Sequence, residues 1–274
     1  MSKKITSFWV HLELIVVSLL VLIPICWIVL SSFNKGNGLA SSTFIPKALT
    51  LDNYTRLFRD TNYASWFMNS FEIAIVTSVV SVLLVMITAW IFSRFKFKGR
   101  KMSLMTILLL SMFPTFLSMT AFYTLFLNFG LLDQPIALVI IYVAGAIPYN
   151  VWLVKGYLDG IPREIDEAAY IDGCGYFSTF FHIILPLSKP IITYCAVSQF
   201  MAPWMDYILP NMLLSDDKHI TIAVGLYSMI SGKENSNFTM FAAGAILIAV
   251  PITILFLIFQ KYLVQGIASG ANKG

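Results

Sequence analysis

The stretch FMNSFEIAIVTSVVSVLLVMITAWIF, residues 67–92, decides the fold class of this chain. It is predominantly apolar, and Glu72 near its beginning is its single ionisable side chain. About 20 such residues are enough for a helix to cross the hydrocarbon core of a bilayer, where each backbone group must be hydrogen-bonded within its own segment. The stretch therefore predicts a membrane-spanning helix.

Five further runs of similar character occupy much of the remaining chain. The six predicted spans are residues 11–33, 67–92, 102–127, 135–154, 190–209 and 238–262. Barrel strands would alternate apolar and polar residues over segments of about ten, whereas these runs are apolar on both faces. Of the 274 residues, 58% are hydrophobic and 12% are charged, whereas about one quarter of the residues in soluble domains are charged. We therefore predict an all-α integral membrane protein with six transmembrane helices.

The basic residues predict the orientation in the membrane, because short loops rich in Lys and Arg stay in the cytoplasm. The densest cluster, residues 94–101 (RFKFKGRK), lies between the second and third runs. With this cluster inside, most of the 18 Lys and Arg residues are cytoplasmic, and so are both termini. The cluster also fits contact with membrane lipid headgroups, which accounts for much of the net charge of +4 without a nucleic-acid partner.

The predicted organisation has three parts. Residues 1–66 hold the first transmembrane helix and an outer loop, residues 67–264 hold helices two to six with the loop 155–186, and residues 265–274 form a cytoplasmic tail. Cys26, Cys174 and Cys195 are too scattered to form a metal site, and no His-Glu-x-x-His or phosphate-loop motif occurs. We therefore predict that the chain is not an enzyme and holds no cofactor or metal.

The loop KGYLDGIPREIDEAAYIDGCGYFSTFFHIILP, residues 155–186, carries several helix signals. Pro162 suits a first helical position, and the acidic residues that follow it favour the positive end of a helix dipole. Gly173 can adopt the left-handed conformation that ends a helix. The loop therefore predicts a short amphipathic helix that ends in a sharp turn. A second short helix over residues 176–184 then leads to Leu185 and Pro186, where the fifth span can begin.

The spacing within this loop resembles a known motif. Glu167-Ala168-Ala169 is followed after three residues by Gly173 and after nine more by Ile183-Ile184-Leu185-Pro186. This pattern resembles the EAA loop of the permease subunits of type I ABC importers. The resemblance implies that the loop is a coupling helix docked on an ATPase subunit. In it Glu167 would make a polar contact, Ala168 and Ala169 would pack closely, and Gly173 would form the turn. Ile183, Leu185 and Pro186 would complete the interface.

The C-terminal half has a narrower resemblance. It is carried by Ala202-Pro203-Trp204-Met205-Asp206, by TIAVGL at residues 221–226 and by the ending LVQGIASGANKG at residues 263–274. These stretches resemble the smaller permease subunit of maltose and maltodextrin importers, in the carbohydrate-uptake branch of the family. The resemblance implies a multi-pass protein of a bacterial cell membrane. It also implies four partners: a second, larger permease, two copies of an ABC ATPase, and a sugar-binding protein that contacts the outer loop 210–237.

Some alternatives stay open at this point. Maltodextrin is the favoured substrate, and galacto-oligosaccharides or another sugar are the alternative, because related permeases share the same motifs. An ion-coupled secondary transporter would also need many spans, but it would be expected to carry paired carboxylates or broken helices near the membrane midplane. Trp204 and Asp206 near the outer mouth are candidates for sugar contact. We favour an interfacial aromatic anchor there, because Trp and Tyr concentrate at the edges of the bilayer.

Overall fold

The computed structural model describes residues 3–36, 46, 48–231 and 237–271, and these ranges are almost entirely helical. The helices are α1 Lys3–Ser32, α2 Asp52–Asp60, α3 Tyr63–Arg94, α4 Arg100–Ser111, α5 Met119–Asn128, α6 Pro135–Leu158, α7 Glu164–Ile171, α8 Tyr176–Thr179, α9 Leu185–Leu187, α10 Lys189–Met205, α11 Ile208–Leu213, α12 Ile222–Ser231 and α13 Phe238–Ala271. A 3-10 turn, Thr115–Ser118, precedes α5, and a π-helical segment, Phe180–Ile184, joins α8 to α9. The all-α prediction is confirmed.

Four single helices are long and apolar enough to cross a membrane. They are α1, α3, α6 and α13, and they contain the predicted spans 11–33, 67–92, 135–154 and 238–262 apart from one residue at the end of the first. Two further candidate spans are pairs of helices with a sharp bend between them. The described residues therefore hold four candidate spans, or six if each bent pair is one span.

The third predicted span is not one continuous helix, which corrects the prediction over residues 102–127. The chain bends by 85° between α4 and the helical segment that leads into α5. Pro114 lies at this break in an extended conformation, with φ −66° and ψ 116°. Because proline has no N–H to donate and its ring collides with the preceding turn, the α-helix ends before it.

The fifth predicted span, residues 190–209, also differs from the structure. The chain bends by 79° around Ser188, so that α10 begins at Lys189, within one residue of the predicted start of the span, and Leu185 belongs to the separate short helix α9. α10 then ends at Met205, because Asp206 is extended. The carboxylate of Asp206 accepts hydrogen bonds from the N–H groups of Ile208 (2.9 Å) and Leu209 (3.3 Å). Asp206 thus caps α11 in the way that Asp favours at helix beginnings.

The chain separates into two compact units, Met1–Ala64 with Val224–Pro251 and Ser65–Ala223 with Ile252–Gly274. In the first unit, the side chain of Asn53 on α2 donates to the carbonyls of Ser32 and Asn34, at 2.9 Å each. The hydroxyl of Tyr63 donates to the carbonyl of Gly244 at 3.0 Å. These bonds fix α2 and the start of α3 within this unit.

The second unit has an apolar core that joins α3, α4, α6, the segment 176–188 and α10. Its members are buried and contiguous: Val85, Met86, Ala89, Trp90, Phe92, Leu104, Val151, Val154, Leu158, Phe180, Ile184, Ile191 and Cys195. Polar contacts between helices supplement the core. The indole of Trp152 donates to the carbonyl of Leu104 at 3.2 Å, and the hydroxyl of Ser78 donates to the carbonyl of Ala196 at 2.8 Å.

Polar bonds also close the end of the second unit that lies away from the loop 155–186. Asp133, whose φ is 61°, accepts hydrogen bonds from the N–H groups of Ser215 and Asp216 at 2.9 Å each. These bonds lower the pKa of the Asp133 carboxyl, and His219 lies 3.4 Å from its other oxygen. Asp133, Asp216 and His219 have their ligand atoms within 4.8 Å of one another. Because Asp133 is bonded to the backbone of Ser215 and Asp216, the cluster holds two loops together.

Gly244 is a tightly packed glycine position in the first unit and gives a first test. A Cβ at this position would lie 2.5 Å from Leu226 Cδ2 and 3.1 Å from the ring of Tyr63. Both neighbours are buried, and Tyr63 is held by its hydrogen bond to Gly244. We expect Gly244→Ala to lower the free energy of unfolding by about 1–3 kcal/mol through overpacking. The measurement is the thermal unfolding midpoint of the purified protein in detergent.

The control is Gly145→Ala on α6, where an added Cβ meets no atom within 4 Å. This variant should unfold at the same temperature as the parent protein or slightly higher, because Ala favours a helix over Gly by about 1 kcal/mol. Equal unfolding midpoints for the two variants would mean that the first unit does not pack as described.

Candidate functional site

The loop 155–186 forms the candidate site, and its first helix ends as predicted. Gly173 has a φ of +85°. The N–H of Gly173 donates to the carbonyl of Tyr170 (3.1 Å), and the N–H of Cys174 donates to that of Ala169 (2.9 Å). This pair of bonds is a Schellman motif, which needs a left-handed residue where Gly173 lies. The helix begins at Glu164, two residues after Pro162, the position predicted for its start.

A buried ion pair holds this helix against the end of α3. Nε of Arg94 lies 2.8 Å from Oδ2 of Asp166, and both side chains are only 7% exposed. Burial raises the pKa of the Asp166 carboxyl, while the positive charges of Arg94 and Arg163 act in the opposite direction. Removing one partner of such a pair leaves an uncompensated charge in a site that excludes water, which is far more destabilising than replacing both partners.

Arg94 also binds the chain on the other side of the loop. Its guanidinium donates to the carbonyls of Leu158 and Ile161, at 3.1 Å each. These carbonyls lie at and just after the end of α6, where a cation is favoured by the helix dipole. Arg94 therefore fixes the end of α6 and the start of the short helix at once.

Ser93 and Arg163 add a second link between α3 and the loop. The hydroxyl of Ser93 donates to Oδ1 of Asp159 (2.7 Å), whose other oxygen pairs with Lys155 (2.6 Å). Arg163 donates to the carbonyl of Ser93 at 3.1 Å. Together with Arg94, these side chains attach the loop to the end of one membrane helix by hydrogen bonds to both side chain and backbone.

Aromatic rings pack the loop against the end of α3. Trp90 on α3 contacts Phe95 and Phe180, with ring centroids 5.0 and 4.8 Å apart. Tyr176 lies 5.2 Å from Phe95 and 5.3 Å from Tyr170. Such pairs stabilise packing beyond the area that they bury. The rings therefore connect both short helices of the loop to the same end of α3.

The exposed surface of the loop is apolar at its turn. Ile171 is 86% exposed and Phe177 is 79% exposed, on either side of Gly173. Glu167 and Ala168 are also exposed on the preceding helix. Large apolar side chains exposed together on a folded turn are typical of a surface that binds another protein.

A family model decides what kind of protein carries this loop. The model of the binding-protein-dependent transport system inner membrane component matches residues 81–269, which include α7 and the segment up to Pro186. The chain belongs to this family of membrane transport components. It is accordingly a membrane permease component of an ABC transporter, and the ATPase activity lies on a separate subunit.

Relatives and a solved structure agree with this assignment. The permease is 42% identical over its full length to the maltodextrin transport system permease protein MdxG of Bacillus subtilis, covering 98% of that protein. It is 39% identical to the galactooligosaccharides transport system permease protein GanQ of Bacillus subtilis, over 99% of this chain and 97% of that one. A chain of a bacterial ABC transporter that imports alginate matches 95% of the permease with a TM-score of 0.83, at 23% identity and 97% coverage of that chain. The resemblance to type I ABC importer permeases is confirmed.

The predicted loop residues fall into two groups in the structure. Glu167, Ala168, Gly173 and Pro186 are exposed. Ala169 is buried, and Ile183 and Leu185 are half-buried in the π-helical segment and in α9. The exposed residues can contact a partner directly. The others pack within the loop and fix its shape.

Trp204 and Asp206 lie apart from this loop, and both side chains make contacts within the chain. Trp204 is buried, with ring centroids 5.1 Å from Phe67 and 6.0 Å from Phe200. The carboxylate of Asp206 accepts a hydrogen bond from the hydroxyl of Tyr142 at 2.9 Å, in addition to capping α11. Both residues therefore contribute to packing within the permease.

The two residues that hold the loop in place are not identifiable from the sequence alone. In the sequence, Arg94 is one basic residue of the cluster that predicts the topology, and Asp166 is one acidic residue near a predicted helix start. The alternation Arg94-Phe95-Lys96-Phe97 carried a signal, because aromatic residues between cations are unexpected in a solvated loop. The partner of Arg94, in contrast, lies far along the chain, so the pairing is visible only in the folded structure.

The ion pair gives a second prediction. We expect Arg94→Met to destabilise the permease by about 3–5 kcal/mol, because Asp166 would stay buried without its partner. The double variant Arg94→Met with Asp166→Leu should recover a large part of this loss, since no buried charge is left. Thermal unfolding of the purified permease, compared among parent, single and double variants, is the measurement.

Arg59→Met serves as the matched control, because Arg59 pairs with Asp60 in an exposed position. Exposed pairs contribute little, so this variant should behave like the parent. A double variant no more stable than the single one would contradict the role given to the ion pair.

Proposed function

We propose that the permease passes a sugar across the cell membrane together with a second permease subunit, two copies of an ABC ATPase and a sugar-binding protein. The observation that carries the proposal is the exposed turn at Gly173, which is fastened to α3 by the buried pair of Arg94 and Asp166. A surface built to transmit movement must be both accessible to a partner and rigidly attached to the element that it moves. This turn meets both conditions.

The proposed orientation places the loop 155–186 and both termini in the cytoplasm, with each bent helix pair counted as one of six spans. The basic residues of the cluster 94–101 support it, because Arg94 contacts the loop and both must therefore lie on one side of the membrane. Cytoplasmic ATPase subunits can then reach the turn at Gly173.

The proposed domains follow the same orientation. Residues 67–264 form the permease domain, residues 1–66 supply the first span with its outer loop, and residues 265–274 form a cytoplasmic tail that reaches toward the ATPase. The outer loop 210–237 would contact the binding protein. Residues 232–236 of this loop and residues 272–274 of the tail lie outside the described part of the chain.

The proposed coupling acts through the end of α3. If the ATPase binds the turn differently in its open and closed states, displacement of α7 is passed to Arg94 through a contact of 2.8 Å and to α6 through the carbonyls that Arg94 binds. A partner shifts an equilibrium only by the difference in its affinity for the two states. Coupling therefore requires that the loop keep one fixed shape while the two states change around it.

Maltodextrin is the proposed substrate, and a galacto-oligosaccharide is the second candidate. Support for the first is the 42% identity to a maltodextrin permease, and support for the second is the 39% identity to a galactooligosaccharide permease. These values are close, so the choice between the sugars depends on transport measurements.

The substrate is tested by uptake in a strain from which the permease has been deleted. We expect the strain to lose uptake of labelled maltodextrin, to keep uptake of galacto-oligosaccharides, and to recover maltodextrin uptake when the permease is restored. The reverse pattern would favour the second candidate. Uptake that persists after the ATPase is also deleted, and that follows an ion gradient, would favour a secondary transporter.

Gly173 tests the coupling role of the loop. We expect Gly173→Val to insert into the membrane normally, since insertion depends on the hydropathy of the spans. The β-branched side chain would strain the left-handed backbone by about 1–2 kcal/mol or more and misdirect the turn. Less ATPase should then co-purify with the tagged permease, or sugar-loaded binding protein should no longer stimulate ATP turnover.

Gly175→Val is the control for this experiment. Gly175 has an extended backbone, with φ −79° and ψ 168°, and neither glycine has an atom within 4 Å of an added Cβ. The two variants thus differ in backbone strain rather than in crowding. Normal ATPase retention and stimulation in Gly173→Val would remove the main support for the proposed coupling role of the loop.

A further inference from the structure

A basic cavity of about 890 Å³ opens beside the loop between α3 and α4. Four cationic side chains line it: Lys96, Arg100, Lys101 and Lys155. It lies within the second unit, between the start of α4 and the last turn of α6, and none of its residues belongs to the turn at Gly173. The coupling function does not account for it.

The charge in the cavity is largely uncompensated. Lys155 pairs with Asp159 at 2.6 Å, and Arg100 donates to the carbonyl of Phe92, which leaves the charge of its guanidinium in place. Lys96 and Lys101 make no ion pair or side-chain hydrogen bond within the described ranges. Gly99 offers no side chain to cap α4, so the positive end of this helix dipole also faces the loop. The cavity thus favours an anion.

The same cavity has an apolar wall. Phe97, Met102 and Met105 line it and are exposed, Met102 by 75%. They stand where the basic loop gives way to the apolar helix α4, and Trp152 fixes this part of α4 to α6 through the carbonyl of Leu104. Cations next to exposed apolar side chains at the end of a spanning helix match a molecule with an anionic head and an apolar tail.

We propose that this cavity binds the phosphodiester headgroup of an anionic phospholipid. The phosphate lies among Lys96, Lys101 and Arg100, and the first part of an acyl chain covers Met102 and Met105. Basic pockets between membrane helices on the cytoplasmic side have this preference. A soluble phosphate would use the cations but leave the apolar wall in water. The proposal depends on the proposed orientation only for the leaflet that supplies the lipid.

The test measures lipid binding directly and therefore separately from transport. The purified permease and ATPase complex is titrated with phosphatidylglycerol in detergent, and the bound lipid is counted by native mass spectrometry. Each basic residue near an anionic lipid contributes about a fivefold gain in affinity. We expect Lys96→Gln with Lys101→Gln to bind phosphatidylglycerol about 25-fold more weakly. Replacement of both lysines by Arg should preserve binding.

The control variant is Lys98→Gln with Lys189→Gln, which removes two exposed lysines that do not line the cavity. It should bind phosphatidylglycerol as the parent does, and phosphatidylcholine should bind equally weakly to all variants. An equal loss in the two double variants would overturn the site, because binding would then follow net charge alone.

Two further outcomes would also overturn the proposal. If inorganic phosphate displaces phosphatidylglycerol at comparable concentrations, the cavity serves a soluble anion. If the variant at Lys96 and Lys101 keeps its lipid but loses the ATPase, this face docks a protein instead. Loss of sugar uptake with normal lipid binding would concern the proposed transport function and not the lipid site.

Discussion

The absence of water from the bilayer core is the constraint on which the rest of this structure depends. A peptide group in that core finds a hydrogen-bonding partner only within its own helix or in a protein side chain. The permease accordingly spans the membrane with helices, and polar side chains appear where helices stop. Asp206 binds the first N–H groups of α11, and Arg94 binds the carbonyls that follow the end of α6. At these two places a side chain takes over hydrogen bonds that the helical backbone leaves open.

Besides binding these carbonyls, Arg94 positions the short helix α7 through its ion pair with Asp166. A buried ion pair adds little net stability, because both charges must be removed from water, but it strongly disfavours arrangements in which either charge is unpaired. At the junction of α3, α6 and α7 this property selects one position of the short helix. The aromatic rings around Trp90 supply the apolar packing that the ion pair does not. We infer that the pair contributes to the placement of the short helix more than to stability.

The sequence predicted the features that depend on local chemistry. Long apolar runs identified α1, α3, α6 and α13, and the glycine after a short acidic helix identified the left-handed turn at Gly173. The bend at Pro114 was not readable from the proline alone, because Pro148 and Pro251 lie inside the continuous helices α6 and α13. The pairing of Arg94 with Asp166 was not readable, since 71 intervening residues separate its members. The role of Asp206 as a cap likewise became visible only when the end of α10 was known.

The π-helical segment Phe180–Ile184 lies between the turn at Gly173 and the start of α10. A π turn holds one residue more than an α turn, so it absorbs an extra residue without lengthening the helix. Loss of one residue between Gly173 and Ile183 would turn the segment into an ordinary α-helix. The residues that follow would then keep their orientation relative to the loop, because the π turn had already absorbed the extra residue. The nine-residue interval between Gly173 and Ile183 therefore includes one residue that the helix accommodates without a change in the orientation of its end.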